Sequence, residues 1–242
     1  MQVSCHECKL RASNLFKRVT AEELASIQQI KSEHLKMPAG AEIIRIGDEA
    51  PEIYTLYAGW AFRYKMLPDG RRQILAFMLP GDLLGLQAAM FDAALFGIEA
   101  LTDVQLCVLP RKKLWTLFDK MPGLAFDVAW LGARSESFVD ENLTSVGRRT
   151  AAERVAALIV TLYKRAKVLD MVENDMFAFP LTQQHIADAL GLSLVHTNKT
   201  LARLKRMGMF KQHNGSMTLT NPRVLERVAQ HFDDEVPMRP LI

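Results

Sequence analysis

Hydrophobic positions change their rhythm three times along this chain. In "TAEELASIQQIKSEHL", Leu24, Ile27 and Ile30 recur at helical spacing, with Thr20 as N-cap and Glu23 three residues on, as in a capping box. The spacing predicts a first helix. From about Met37 to Leu109 the pattern becomes short apolar or alternating runs, "EIIRI", "EIYTLYAGWAFRYKM", "QILAFML" and "VQLCVL", with "PAG", "GDEAP", "PDG" and "PGD" between them. Such punctuation predicts a string of strands closed into a small roll or barrel. Helical periodicity returns near Arg111 and runs through "PGLAFDVAWLGARSESFVDENLTSV", where Leu124, Val128, Leu131 and Phe138 form one stripe and Leu143 and Val146 lie near its end. Ser135 and Asn142 interrupt the stripe. A long helix over 111–146 is expected; its stripe either lies on its own domain or, the reading favoured, pairs with a second copy through Leu124, Val128, Leu131 and Phe138, its buried polar residues fixing the register.

The last region has the most specific pattern. "FPLTQQHIADALGLSLVHTNKTLARLKRMGMF" reads as helix, tight turn, helix, with Thr182 capping the first, Gly191 ending it and Ser193 capping the second. Ile186, Ala187 and Leu190 are expected to pack on Thr197, Leu201 and Leu204. The outer face of the second helix then carries Val195, Asn198, Lys199, Ala202, Arg203 and Arg206, residues suited to base edges and phosphates. "KQHNGSMTL" follows, an Asn214-Gly215 turn between two strand-like runs, and predicts a small wing.

Charge strengthens this reading. Residues 1–146 hold 16 Lys and Arg against 18 Asp and Glu, whereas residues 147–223 hold 12 against 5. A basic segment on a near-neutral body is the electrostatic footprint of a nucleic-acid binder. No apolar stretch is long enough for a membrane span and no signal-peptide core opens the chain, so a cytoplasmic location is expected. Phosphate-cradling glycine loops, a nucleophile elbow and paired catalytic carboxylates are absent from the sequence, which predicts a protein that is not an enzyme.

A roll with a "PGDLLG" turn, a long helix and a C-terminal winged helix-turn-helix resembles the Crp/Fnr family of bacterial transcription regulators, and "VGRRTAAERVAALIVTLYKRA" is particularly like its oxygen-sensing Fnr branch. The resemblance covers nearly the whole chain. It implies an α+β architecture: a cysteine arm and jelly-roll sensor domain of the cyclic-nucleotide-binding type over 1–110, a dimerisation helix over 111–146, and a DNA-binding domain with its C-terminal tail over 147–242. It also implies a homodimer on near-palindromic double-stranded DNA, and a transcription activator's contact with RNA polymerase, for which the loop around Gly59 and Trp60 is a candidate. Aligned with the family's recognition helix, the base-touching positions fall at Val195, Asn198 and Lys199. Thr182, Ser193, Arg203, Lys205 and Arg206 are then expected at phosphates.

In the sensor half the chain departs from the family's nucleotide-binding members. They carry a glutamate for the ribose and an Arg-Ser pair for the phosphate after "GDLLG", since a buried phosphate needs a fixed cation. Here Leu86 stands at the glutamate position, and no Arg or Lys occurs between Gly81 and Pro110. No cyclic nucleotide is expected. Leu86, Met90, Phe91, Leu95 and Phe96 are read as core packing, or else as an apolar effector pocket.

All three cysteines of the chain, Cys5, Cys8 and Cys107, match positions that hold an oxygen-labile four-iron cluster in the Fnr branch. The family's remaining N-terminal cysteine would fall near Asn14 to Phe16, where none stands. A fourth ligand is therefore unknown, His6 being one candidate. Three readings stay open: an iron–sulfur cluster, a reversible thiol or disulfide switch, and inert thiols with an apolar effector or none. A dithiol redox protein is the more remote alternative, because the C-x-x-C lacks a βαβ setting.

Overall fold

The computed structural model describes residues 4–49, 52–91, 93–230 and 238–242. The chain divides into two compact units, one of Met1–Arg71, Ala76–Phe138 and Met238–Ile242, the other of Arg72–Leu75 and Val139–Pro237.

In the first unit an arm with 3₁₀ turns at Cys5–Glu7 and Lys9–Ala12 leads to α1, Ala21–Ile30. Thr20 Oγ1 accepts from the Glu23 amide at 3.2 Å and the Thr20 amide donates to Glu23 Oε2 at 2.8 Å, so the expected capping box forms. Strands follow as β1 His34–Met37, β2 Glu42–Ile44, β3 Ile53–Ala58, β4 Ala61–Met66, β5 Arg72–Met78 and β6 Leu83–Leu84; after the short α2, Leu86–Met90, come β7 Gly97–Ala100 and β8 Val104–Leu109. They make two four-stranded sheets, ordered β1-β8-β3-β6 and β2-β7-β4-β5. Ile43, Ile44, Leu56, Phe96, Ile98 and Leu106 fill the roll. Its strands were legible because their apolar residues alternate toward this interior.

The expected single helix over 111–146 is two. α3, Arg111–Lys120, ends at Met121, which adopts φ −134° and ψ 73°, and α4 runs Pro122–Arg148. Pro122 is the cause, since it excludes the preceding residue from helical backbone and starts a helix without needing an N–H. The predicted dimer stripe also needs correction. Leu124, Val128 and Leu131 are buried in their own unit, in a cluster with Ile27, Ile30, Ile53, Leu109, Leu114 and Leu117. Phe138 is half-buried with the Arg134 guanidinium 4.6 Å from its ring centre, and Ser135 Oγ accepts from Arg63 Nη1 at 3.4 Å. The helix turns that stripe toward its own roll because the roll leaves an apolar face for it to cover. What α4 exposes is another line: Phe126, Ala129, Ala133, Asp140 and Leu143.

The second unit is built on α5, Ala151–Lys167, capped by Thr150 with Glu153. β9, Val172–Glu173, and β10, Met176–Ala178, precede the helix pair α6, Gln183–Leu190, and α7, Leu194–Arg206. β11, Phe210–His213, and β12, Ser216–Leu219, form the expected wing, and α8, Pro222–Ala229, follows. The wing belongs to a larger sheet, ordered β11-β12-β10-β9. Its second hairpin turns at Asn174 and Asp175, with φ of 50° and 59°, a pair of residue types that tolerates left-handed backbone. No helix among the described residues is long and apolar enough to cross a membrane.

Candidate functional site

The helix pair of the second unit has both ends of its turn fixed locally. Thr182 Oγ1 accepts from the His185 amide and the Thr182 amide donates to His185 Nδ1, each at 3.2 Å, a capping box closed by histidine. Gly191 ends α6 in the left-handed conformation, φ 62°, and Ser193 Oγ accepts from the His196 amide at 3.2 Å. Both hydroxyls keep a proton to donate to an outside acceptor. Thr197, Thr200, Leu201 and Leu204 are buried beneath α7, as the apolar spacing requires.

On the other face of α7, Val195 is 63% exposed, and Lys199, Ala202, Arg203, Lys205 and Arg206 are exposed beside it. Nothing covers Val195, so the structure sets it on the surface with the cations. Asn198 differs from expectation. It is half-buried, and its Oδ1 is enclosed without a hydrogen-bond partner, so that carbonyl is not presented on the surface as Lys199 is. One helical turn separates Val195 from Lys199, which places the pair on one face.

In the first unit, β1, β8 and β3 align His34, Cys107 and Thr55 in one cross-strand row. Directly paired residues share a sheet face. Cys107 Sγ lies 3.8 Å from His34 Nε2, and the Tyr57 ring packs edge-on against His34 at 6.0 Å. Cys5 and Cys107 are buried while Cys8 is half-exposed, and all three are free thiols. The Cys5 amide donates to Gln28 Oε1 at 2.6 Å, which ties the arm to α1. Arg11 stands within electrostatic reach of all three thiols, with burial holding its guanidinium below its ordinary value against their pull. Burial pushes the Cys107 thiol up; Lys31 and Arg11 draw it down, Cys8 and Cys5 further up.

The arm and roll thus gather the three cysteines into one patch. Among the described residues no group of three His, Cys, Asp or Glu side chains is placed to hold one ion. His6 is exposed while the neighbouring Cys5 is buried.

The segment read as core or apolar pocket is mixed. Phe96 is buried and Leu86 half-buried, but Met90, Phe91 and Leu95 are 48–55% exposed. α2 is only five residues long and buries Ala88 and Ala89 instead. Trp60, expected in a surface loop, is buried at the start of β4, so its ring offers nothing to a partner. Sequence reading also missed Arg63. Its guanidinium is buried, lies 5.2 Å from the Phe96 ring centre and keeps an unpartnered Nε. Burial lowers its pKa. Inspection of the segment after Gly81 does not find it, because it comes from β4.

Two further residues give the roll its polar centre. Asp82 accepts from the Leu79 amide at 2.8 Å, from Arg134 Nη1 at 3.4 Å and from Arg239 Nη1. The "PGD" turn signalled Asp82; nothing in the sequence around Arg239 signalled its partner.

Known proteins share this arrangement. Residues 34–121 match a family model described as a cyclic nucleotide-binding domain, and residues 153–228 match one described as a Crp-like helix-turn-helix domain. The chain is 29% identical over 225 residues to the nitrogen fixation regulation protein FixK of Bradyrhizobium diazoefficiens, covering 93% of each. It is 28% identical to the transcriptional activator protein FnrL of Cereibacter sphaeroides, covering 97% of this chain and 95% of that one. With the transcriptional activatory protein AadR of Rhodopseudomonas palustris it shares 31% identity over 72% of each. The structure of FixK2 from Bradyrhizobium japonicum superposes with a TM-score of 0.75 at 26% identity, covering 82% of this chain and 97% of that one. Likeness of this extent in both halves means that the chain belongs to the Crp/Fnr family, as a DNA-binding transcription regulator of the Fnr-type branch and not an enzyme.

Proposed function

We propose that this regulator is a homodimer that reads a near-palindromic operator through Val195 and Lys199 and responds to oxygen or redox state through Cys5, Cys8 and Cys107. The observation that carries the first half is the capped α7 with Val195, Lys199, Arg203, Lys205 and Arg206 on its open face. Bases are read there by Lys199 donating to guanine O6 and N7, and by Val195 against a thymine methyl. Asn198 joins them on adenine when its amide turns outward. Arg203, Lys205 and Arg206, with the spare hydroxyl protons of Thr182 and Ser193, hold phosphates and fix the register.

Dimerisation uses the exposed line of α4. Phe126, Ala129, Ala133, Asp140 and Leu143 follow three-and-four spacing, with small residues that let two helices approach closely. RNA polymerase is the further partner this family membership suggests.

For the sensor, the simplest chemistry these residues offer is that of the thiols themselves. Oxidation of the Cys5 and Cys8 thiols to a disulfide would pass two protons and two electrons to an oxidant of the peroxide class. An iron–sulfur cluster uses the same soft ligands but takes four, and this chain supplies three cysteines. On this reading the roll takes no cyclic nucleotide, because its buried cation, Arg63, rises from β4 and the segment after Gly85 offers none.

Selection of random-sequence DNA by gel shift, with reduced and peroxide-treated protein, tests the whole reading. A symmetric operator bound differently in the two states supports it, and binding without sequence preference overturns it. The visible spectrum and iron content of protein purified without oxygen separate the two chemistries. A band bleached by air and lost in Cys5→Ser, Cys8→Ser and Cys107→Ser assigns a cluster; colourless, iron-free protein leaves the thiol switch. Cyclic AMP at millimolar concentration should leave the melting temperature unchanged, since a ligand of the native state must raise it.

A further inference from the structure

Met238–Ile242 belongs to the first unit, although the second unit precedes it in sequence. It lies in a groove between the cysteine arm and the "PGD" turn. The Arg239 amide donates to Leu15 O at 2.9 Å and the Lys17 amide donates to Arg239 O at 2.8 Å, a parallel bridge around Phe16. Arg239 is 1% exposed. Its Nη1 donates to Asp82 Oδ1 and its Nη2 to Pro80 O at 2.9 Å, while its guanidinium carbon lies 5.0 Å from the Phe16 ring centre. Beyond it, Arg11 Nη2 donates to Leu241 O at 2.8 Å and Thr55 Oγ1 donates to Ile242 O. Leu241 and Ile242 are buried, and Ile242 shares a core cluster with Cys5, Ile27 and Leu109.

The groove has the chemistry of a receptor. A buried carboxylate meets a guanidinium, an aromatic face covers that guanidinium, two main-chain bonds set direction, and apolar pockets take the last two side chains. The turn is shaped for it as well. Gly81 has φ +85°, and a Cβ there would stand 2.3 Å from Phe16 Cζ and 3.1 Å from Arg239 Nη2. A side chain at 81 would collide with the Phe16 ring and crowd the Arg239 guanidinium.

We propose that the sensor unit carries a binding site for a short Arg-Pro-Leu-Ile peptide, that its occupant is the chain's own 238–242 segment, and that occupation clamps the cysteine arm to the roll. Apart from Pro80 and Asp82 in the turn, the peptide's named hydrogen-bond and ring partners lie on the arm or beside a cysteine: Leu15, Phe16 and Lys17 on the arm itself, Arg11 among the three thiols, and Thr55 opposite Cys107 on β3. An empty groove leaves Arg11 without the Leu241 acceptor and opens the cluster over Cys5. The site stands whether or not the thiols sense redox state, since it rests on packing and hydrogen bonds alone.

The test compares the full chain with a chain ended at Pro237, following alkylation of each cysteine by iodoacetamide with mass spectrometry of the peptides. Cys5 and Cys107 should label at least about ten-fold faster in the shortened chain, since arm opening then limits nothing. A synthetic Met-Arg-Pro-Leu-Ile peptide should restore protection at saturation, and the same peptide with alanine for arginine should not. Unchanged labelling in a shortened chain that still melts cooperatively overturns the proposal, as does faster labelling that no peptide reverses. Should the shortened chain fail to fold, Arg239→Met in the full chain carries the test: several-fold faster labelling of Cys5 supports the clamp, and an unchanged rate sinks it.

Discussion

The Cys107 sulfur lies 3.8 Å from His34 Nε2, across directly paired positions of β8 and β1. Burial, the first cause, raises the thiol's pKa in the folded protein, so the folded state keeps this proton to higher pH than the unfolded chain does. Stability from this group is complete below the ordinary thiol pKa and is lost as pH rises from there through the raised folded value. The slope is at most about 1.4 kcal/mol per pH unit. Urea titrations from neutral pH upward should show that decline in the natural chain and a flatter profile in Cys107→Ala. In the native protein near neutral pH, half-exposed Cys8 should alkylate before buried Cys107; the reverse order would contradict the burial argument.

Asp82 is the carboxylate on which Arg239 and Arg134 converge. Removing the shared anion takes the carboxylate from two largely buried cations, so Asp82→Asn should cost about 3–5 kcal/mol in urea unfolding. Arg239→Met leaves Asp82 with Arg134 and the Leu79 amide, and should cost less, about 1.5–3 kcal/mol for a lost charge-assisted bond. In Asp82→Asn with Arg239→Met the losses should fall short of additive. Strict additivity would mean that the two side chains do not interact in solution.

Which parts of this molecule were legible in the sequence follows from how far each signal reaches. Caps at Thr20, Thr182 and Ser193 and the turns at Gly191 and Asn214 are local, and they formed where their residue types demand. The helix-turn-helix is a chain of such local signals, so it could be read. The stripe of Leu124, Val128 and Leu131 was visible too, but periodicity says only that a face is buried and not against what. The roll took that face, leaving Phe126 and Leu143 outside. Pro122 carried the break between α3 and α4, outvoted by the apolar period on either side of it. Arg63 and Arg239 could not have been found this way. Each acquires its surroundings from contacts distant in sequence, 157 positions in the case of Arg239 and Asp82.

His185 closes the capping box of α6 by accepting from the Thr182 amide, which requires an unprotonated Nδ1. Burial lowers its pKa in the folded protein, though Asp188 pulls the other way. The stability it contributes is present above the ordinary histidine pKa and is lost as pH falls through the depressed folded value. Melting temperatures should therefore drop on acidification below about pH 6.5. Glutamine serves the same position of the box without titrating, so His185→Gln should flatten the drop. An identical acid profile in the two proteins would place the sensitivity elsewhere.

The operator itself tests the register of α7. Val195 and Lys199 lie one turn apart on the exposed face, so they address neighbouring positions of one groove. A glutamate at the position of Val195 would accept from cytosine N4; valine accepts nothing and favours a thymine methyl. Lys199 donates to guanine as a point charge, without the planar fork that an arginine there would bring. The selected half-site should thus carry a thymine at one position, and Val195→Glu should shift preference there toward cytosine. Lys199→Ala should cost about 1–3 kcal/mol on the preferred site and relax discrimination at one position, whereas Arg206→Ala should weaken all sites alike and flatten the salt dependence. Quantitative gel shifts on a panel of single-base operator variants at two salt concentrations separate these effects. A base preference unmoved in Val195→Glu at every position of the half-site would mean that Val195 does not face the bases and that α7 enters the groove in another register.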